Sequence, residues 1–300
     1  MQLAQKERDM RVFILGGTGS IGTAIVRELR SRSHDVVALC RSEASGEKIR
    51  NLGATPYRGD MRTPQAWMND AIDHDAIIQA AATFTDDMGD VDARVVSALI
   101  HASATAKRTL RLLYTGGCWL YGETGDNVAT EDWPFDPLPA FAWMVSHAEQ
   151  LLRAEYLSTA VIHPAMVYSE DGGVFEEFVD AARGGRAIEI WGSPDTRWPI
   201  IHRSDLARAY CDLLERPDLT GYFNAGAEQG VRVSDIVKSL ADRHGNTLKS
   251  LTLGVEDLVE RHGDWAKGPT LDQQMSSDKL RQATGWEPKT GDYRLSDLLV

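Results

Sequence analysis

The chain of 300 residues has little cysteine: Cys40, Cys118 and Cys211 lie far apart and form no CxxC or metal-type spacing. That excludes a disulfide framework and a cysteine-built zinc site, and it predicts a reducing, cytoplasmic setting with no metal. Long hydrophobic runs are also lacking. None approaches the roughly 18–20 residues of a membrane span, and residues 1–10 (MQLAQKERDM) have no signal-type apolar stretch, so no membrane partner is expected. Positive charge is short, with 32 Lys and Arg against 44 Asp and Glu and a net charge of −12. A nucleic-acid partner is therefore excluded, because neutralising phosphates takes clustered cations. Internal repeats and low-complexity linkers are absent too. What is present, 43% hydrophobic and 25% charged residues, is the composition of an ordinary globular protein.

The apolar pattern alternates between two periods. Arg11–Leu15, Asp35–Cys40, Ala76–Ala81, Leu110–Thr115 and Ala160–His163 read as buried strands. Stretches near 21–32, 91–107 and 142–155 have helical spacing. This alternation predicts an α/β fold, a doubly wound parallel Rossmann sheet with ligands at the carboxyl ends of its strands. Beyond Tyr168 the rhythm becomes irregular, with short helices and few clear strands. The expected division is a Rossmann domain over 11–167, with 199–226 packed back onto it, and a smaller substrate lobe over 168–198 and 227–300.

Gly16-Gly17-Thr18-Gly19-Ser20-Ile21-Gly22 sits between the first strand and the first helix. It satisfies G-x-G-x-x-G and G-x-x-G-x-x-G together. Glycine permits a tight turn and close approach to a pyrophosphate resting on the helix N-terminus, and strand before and helix after is the context that gives the motif meaning. A purely structural turn is the plain alternative. Gly16, Thr18, Gly19, Ser20, Ile21 and Gly22 are the expected cofactor contacts. After the second strand stand Arg41 and Ser42, where a carboxylate would favour NAD. A guanidinium there suits the 2′-phosphate of NADP, so NADP is expected over NAD, a solvated surface arginine being the alternative. Asp60 and Met61, after the third strand, are placed to cover the adenine.

Several further elements carry a resemblance: the Gly-rich turn, the step Ala80-Ala81-Ala82, Tyr121-Gly122, Pro164-Ala165-Met166-Val167-Tyr168, the stretch from Trp198 to Ala207, Gly221–Asn224 and Gly285–Pro288. In this order, over nearly the whole chain, they resemble an extended short-chain dehydrogenase/reductase of the epimerase/dehydratase type. The resemblance implies that Ala80, Ala81, Ala82 and Thr115 lie beside the cofactor, and Pro164 and Val167 beside the nicotinamide. It implies that the late lobe holds a small-molecule substrate, with His202 and Asp205 structural. It further implies a homodimer through the helices near 91–107 and 142–155. The first of these is apolar almost all round, with small residues at Ala98, Ala102 and Ala106.

The family's chemistry uses a Ser or Thr, then a Tyr and a Lys four residues later on one helix face. Anchored on Tyr121-Gly122 and on Glu149-Gln150-Leu151-Leu152, those positions fall on Gly117, Phe141 and Val145, so all three groups are lost. A two-residue gap offers Trp143 and His147 instead, at the cost of turning the helix by about 200°. Thr115, Cys118 and Tyr121 remain as candidate polar groups, and Cys118, Trp119, Phe141, Trp143, Tyr168 and Trp198 as candidate lining of a bulky, flat or apolar substrate's pocket. Gln79 replaces the family's more usual His, a change with no reading in the sequence. The expected function is an atypical NADP(H)-dependent oxidoreductase for ketones and alcohols, its proton coming from water or an acidic substrate hydroxyl. The alternatives are a non-catalytic NADP-binding redox sensor and a sugar-nucleotide-type epimerase or dehydratase.

Overall fold

In the computed structural model residues 9–83, 85–169, 172–244 and 249–290 are described. Two compact units divide the chain. The first holds Met1–Thr115, Ser146–Ile162 and Ala207–Tyr222; the second holds Gly116–Val145, His163–Leu206 and Phe223–Val300. Residues 116–145, which the sequence pattern groups with the Rossmann part, thus cluster with the second unit.

Strands β1 (Arg11–Leu15), β2 (Asp35–Cys40), β3 (Thr55–Arg58), β4 (Ala76–Gln79), β5 (Leu110–Thr115) and β6 (Leu157–Pro164) alternate with helices α1 (Ser20–Ser31), α2 (Glu43–Asn51), α3 (Met68–Ile72), α4 (Met88–Ala106) and α5 (Trp143–Arg153). The sheet has seven strands, ordered β11-β6-β5-β4-β1-β2-β3, with β11 at Gly221–Ala225. The order reverses on either side of β1, as in a doubly wound Rossmann sheet. Val12, Phe13 and Ile14 are fully buried, as are Leu112 and Leu113. A parallel strand covered by helices on both faces needs such continuous apolar runs rather than alternation. In α4 the buried positions are Val91, Asp92, Val95, Val96, Leu99, Ala102 and Ser103. That is one stripe at helical spacing, interrupted by a carboxylate, where the sequence suggested burial nearly all round. Ala98 and Ile100 pack partly against the same core, while Ala104 and Ala106 are exposed.

The region after Tyr168, irregular to sequence reasoning, contains strands the period-2 pattern did not reveal. β7 (Met166–Ser169), β8 (Gly172–Gly173), β9 (Ile188–Trp191), β10 (Arg197–His202), β12 (Glu228–Arg232) and β13 (Ser250–Leu253) form a four-stranded sheet, β12-β10-β7-β8, and a parallel pair, β13-β9. These strands are short, and β10 shifts register between Trp198 and Ile200 opposite β12; a bulge breaks the alternation on which a sequence reading depends. Helices α6 (Glu176–Arg183), α7 (Arg203–Leu214), α8 (Val233–His244), α9 (Val255–His262) and α10 (Asp278–Thr284) are the further α-helices among the described residues. Among the described residues no helix is long and apolar enough to cross a membrane, and no group of three or more His, Cys, Asp or Glu is placed to hold a metal.

Candidate functional site

The Gly-rich turn has the geometry that pyrophosphate binding requires. Gly16 has φ +88, and a Cβ there would lie 2.6 Å from the Ala80 carbonyl oxygen. A Cβ on Gly22 would meet the Gly16 carbonyl oxygen at 2.0 Å. These two glycines let the strand turn and let α1 pack against it. Helix α1 then begins after Gly19 with neither a side-chain cap nor an acidic residue in its first turn. Its first amides keep no capping partner from a side chain, and Gly19 and Ser20 are exposed. An anion is what such a helix end binds. Thr18 and Ile21 are half-buried beside them.

Arg41 follows β2 directly and is exposed. Among the described residues no carboxylate holds its guanidinium. Ser42 caps α2, its hydroxyl accepting from the Ser45 amide at 3.1 Å. A carboxylate at the strand end, the group that would select a free 2′-OH, is absent. Asp60 is occupied locally: Oδ1 accepts from the Arg62 amide at 2.8 Å and its carbonyl from the Trp67 indole at 2.8 Å. Asp60 and Met61 are both half-buried. These residues fit a nicotinamide dinucleotide, with the uncapped end of α1 at Gly16–Gly22 open to its pyrophosphate.

At the ends of β4 and β5 lies a buried polar network that no motif announced. The Asp92 carboxylate accepts three hydrogen bonds, from Gln79 Nε2 at 2.7 Å, Tyr114 OH at 2.6 Å and His147 Nδ1 at 2.8 Å. Burial, followed by the neighbouring Asp92 charge, pushes the Tyr114 phenol well above its ordinary range. Gln79 uses its other end to accept from the Ala81 amide at 3.1 Å. An α5 imidazole, an α4 carboxylate and a β4 amide thus fix the backbone of the step Ala80-Ala81-Ala82. This explains Gln79, since a side chain that donates at one end and accepts at the other is what the position demands. His147 is directed at α4 and held there. Thr115 donates to the Gln79 carbonyl at 2.7 Å and lies 2.6 Å from the Tyr210 hydroxyl.

The second unit carries Gly117, Phe141 and Val145, to which the sequence register assigns the family's Ser/Thr, Tyr and Lys positions. Gly117 has extended backbone, with φ −179, and a Cβ there would meet nothing within 4 Å. Its amide donates to His163 Nδ1 at 3.2 Å. Burial pushes the His163 imidazole down to about 3, so it is neutral with Nδ1 unprotonated. The ring also lies under Gly116, where a Cβ would sit 2.3 Å from Nδ1. Phe141 ends a short 3-10 turn before α5 and is half-buried; Val145, in the first turn of α5, is half-buried too. Neither can carry a proton. Phe141 packs on Trp119 with ring centroids 5.6 Å apart. The Trp119 indole lies so close over Gly268 that a Cβ there would be 2.5 Å away. Trp143 is half-buried, its indole donating to the Ala140 carbonyl at 2.9 Å.

The remaining candidates sit deeper. Burial pushes the Cys118 thiol up to about 12, so it is not a thiolate near neutral pH. Tyr121 is buried, donates to Asn224 Oδ1 at 2.7 Å and stacks on Phe135. Tyr168 packs between Phe175 and His202, with centroids at 4.9 and 5.3 Å. Trp198 stacks on Phe178 and donates to the Pro269 carbonyl at 2.8 Å. Pro164 is buried and Val167 half-buried. The Asp205 carboxylate accepts from the amides of Lys289 and Thr290, and His202 Nδ1 from that of Ser204. His163, Asp92 and the Gln79 relay were invisible to motif reading, because each acts through contacts between residues distant in sequence.

A glycine-cradled helix end on a parallel sheet defines a Rossmann dinucleotide fold. Residues 12–226 match the family model described as NAD dependent epimerase/dehydratase family, and the chain belongs to that family. An uncharacterized protein of Schizosaccharomyces pombe is 27% identical over 300 residues, covering 96% of this chain and 98% of that protein. A decarboxylating sterol-4-alpha-carboxylate 3-dehydrogenase of Dictyostelium discoideum is 27% identical, over 71% of this chain and 70% of its own. The crystal structure of UDP-glucose 4-epimerase from Thermus thermophilus in complex with NAD superposes with TM-score 0.77 at 21% identity, covering 97% of each chain.

Proposed function

We propose that this chain is an NADP(H)-dependent oxidoreductase that moves hydride between a ketone and an alcohol on a bulky, apolar small molecule, without the family's Tyr/Lys pair. The observation that carries the proposal is the exposed Arg41 at the end of β2, held by no carboxylate among the described residues, beside a glycine cradle complete in backbone geometry. Bound NADPH supplies hydride. The chain's own part is to hold the nucleotide at Gly16–Gly22 and Arg41, and to keep the step Ala80-Ala81-Ala82 in place through Gln79 and Asp92. Positioning and exclusion of solvent supply much of the rate in such a reaction. With Phe141 and Val145 at the acid and lysine positions, the proton comes from water or from an acidic hydroxyl of the substrate. Trp119, Phe141 and Trp143 give an aromatic, uncharged surface for the substrate's body.

Calorimetric titration with NADP+ and NAD+ tests the first part; equal affinities would sink the NADP preference. Oxidation of NADPH, followed optically with a panel of cyclic and aromatic ketones, tests the second. A second reading, binding without turnover as a redox sensor, is favoured by the absence of any ionisable group at positions 117, 141 and 145. It requires that NADPH and NADP+ differ in affinity by about tenfold or more, whereas an enzyme in turnover needs no such bias.

A further inference from the structure

Four arginines stand around the carboxyl ends of β2 and β3, and the fold divides them into two pairs. Arg50 reaches Glu43 at 2.8 Å, and Arg62 Nη2 donates to both oxygens of Asp87 at 2.9 Å. Arg41 and Arg58 are exposed and have no carboxylate partner among the described residues. Carboxylates are not scarce there. The first unit holds 18 Lys and Arg against 19 Asp and Glu, a balance of −1 out of the chain's −12. The nearby acids are engaged elsewhere: Glu43, in the first turn of α2, is taken by Arg50, and Asp60 is turned onto the Arg62 amide.

Strand register places the two unpaired arginines together. In the β2–β3 ladder Arg58 is the partner of Cys40, and the Gly59 amide still donates to the Cys40 carbonyl at 3.0 Å. Arg41 and Arg58 thus leave neighbouring strands at one level, and such strands run about 4.8 Å apart. Alternation decides the side. Tyr57 faces away from α2: its ring meets Phe13 at 5.7 Å and its hydroxyl donates to Asp70 of α3. Pro56 and Cys40 face α2, since a Cβ on Gly46 would lie 3.6 Å from Pro56 Cβ and 3.8 Å from Cys40 Sγ. Arg58 shares their side, because residues two apart in a strand point the same way. Arg41 runs on from Cys40 into Ser42, the exposed N-cap of α2. Both side chains therefore start at the end of the sheet where α2 begins.

A phosphate monoester near pH 7 carries up to two negative charges on three acceptor oxygens, and one guanidinium meets only one of those charges. Resting on the reading that the cofactor is NADP(H), we propose that Arg58 is a second cation for its 2′-phosphate, acting with Arg41 across the ends of β2 and β3. Side by side the two cations repel each other; a dianion relieves that repulsion, and a 2′-hydroxyl does not. Arg58 lies outside the Gly-rich turn and outside the end of β2, the two places where a sequence reading looks for cofactor choice. Only the β2–β3 register brings it to the same point.

The test titrates the full chain calorimetrically with NADP+ and NAD+, and with adenosine 2′,5′-bisphosphate against adenosine 5′-phosphate as probes of the same end. Arg58→Ala should weaken NADP+ and the bisphosphate about tenfold, the worth of one charge-assisted contact at an exposed site, and leave NAD+ and the monophosphate within about twofold. Arg58→Lys, which keeps the charge, should recover part of the loss. The melting temperature should not move, because Arg58 holds no partner; Arg58→Gln serves if the alanine variant does not fold. A wild type that prefers NADP+, with that preference unchanged in Arg58→Ala, would overturn the proposal and leave the NADP reading standing on Arg41. An equal loss for NADP+ and NAD+ would also overturn it, since Arg58 would then shape the site rather than select the phosphate. Equal affinity of the wild type for the two nucleotides would instead bring down the NADP reading itself, and the role of Arg58 with it.

Discussion

Arg41 and Arg197 each stand at a strand end, one in each unit, and the fold treats them in opposite ways. Arg41 is exposed, with no carboxylate on it among the described residues, in a unit whose charges nearly balance. Arg197 is gripped by Asp272 and Asp126 in a unit that carries almost all the negative charge. The first arrangement leaves a cation available to an anionic ligand; the second has used its cation for structure. Polar groups follow the same contrast. The first unit buries a carboxylate under three donors to fix one backbone step. The second holds Gly117, Phe141 and Val145, to which the sequence register assigns the family's Ser/Thr, Tyr and Lys positions.

The comparison can be broken at several points. The largest effect is expected at Asp92. Asp92→Ala leaves Gln79, Tyr114 and His147 without their common acceptor, and a buried donor left unsatisfied costs about 1–3 kcal/mol each. Urea unfolding measures this, and a loss below about 1 kcal/mol would show that the network contributes little. Gln79→Leu tests the relay to Ala81 more gently: NADP+ and NAD+ affinities should fall by the same factor, since the step is common to both.

Next comes restoration of the triad. Gly117 has extended backbone and open space at its Cβ, so Gly117→Ser should be accommodated without strain. Combined with Phe141→Tyr and Val145→Lys, it should raise turnover of a neutral ketone by about 100- to 10,000-fold, the usual worth of a placed acid–base group. Unchanged turnover would mean either that chemistry is not limiting or that the register of α5 at these positions is wrong. His147→Ala separates the two. In the present register it lowers stability and leaves the pH profile of turnover unmoved, whereas a shifted profile would make His147 the working group.

A smaller effect is expected at Arg41. Arg41→Asp should cut the preference for NADP+ over NAD+ by about 1.5–3 kcal/mol, the value of a charge-assisted contact, and competitive titration reads it directly. The assembly prediction is finer still. Ala98 and Ile100 on α4 are half-buried, and Ala104 and Ala106 are exposed. If a twin helix covers that side, light scattering at micromolar concentration gives twice the 33.1 kDa chain mass; the single-chain mass would refute a homodimer.

Sequence alone determined the parts that depend on local geometry and period. The glycines at 16 and 22 could be read because a missing Cβ is written in the residue itself, and β1, β2 and β5 because covered parallel strands are continuous apolar runs. The Rossmann class followed from their alternation with helices. Where the family's Tyr and Lys would stand is a question of register, and Tyr121-Gly122 with Glu149–Leu152 led the sequence reading to expect Phe141 and Val145 there. Tertiary structure decided the rest. Only the fold brings Asp92, Gln79, Tyr114 and His147 to one point, and only it gives Gln79 a task at both ends. His163 could be placed beside Gly117, and Arg197 in its carboxylate grip, by no local pattern. A hydrogen bond between residues tens of positions apart leaves no periodic trace, and whether an arginine is available or already paired is set by what folds against it.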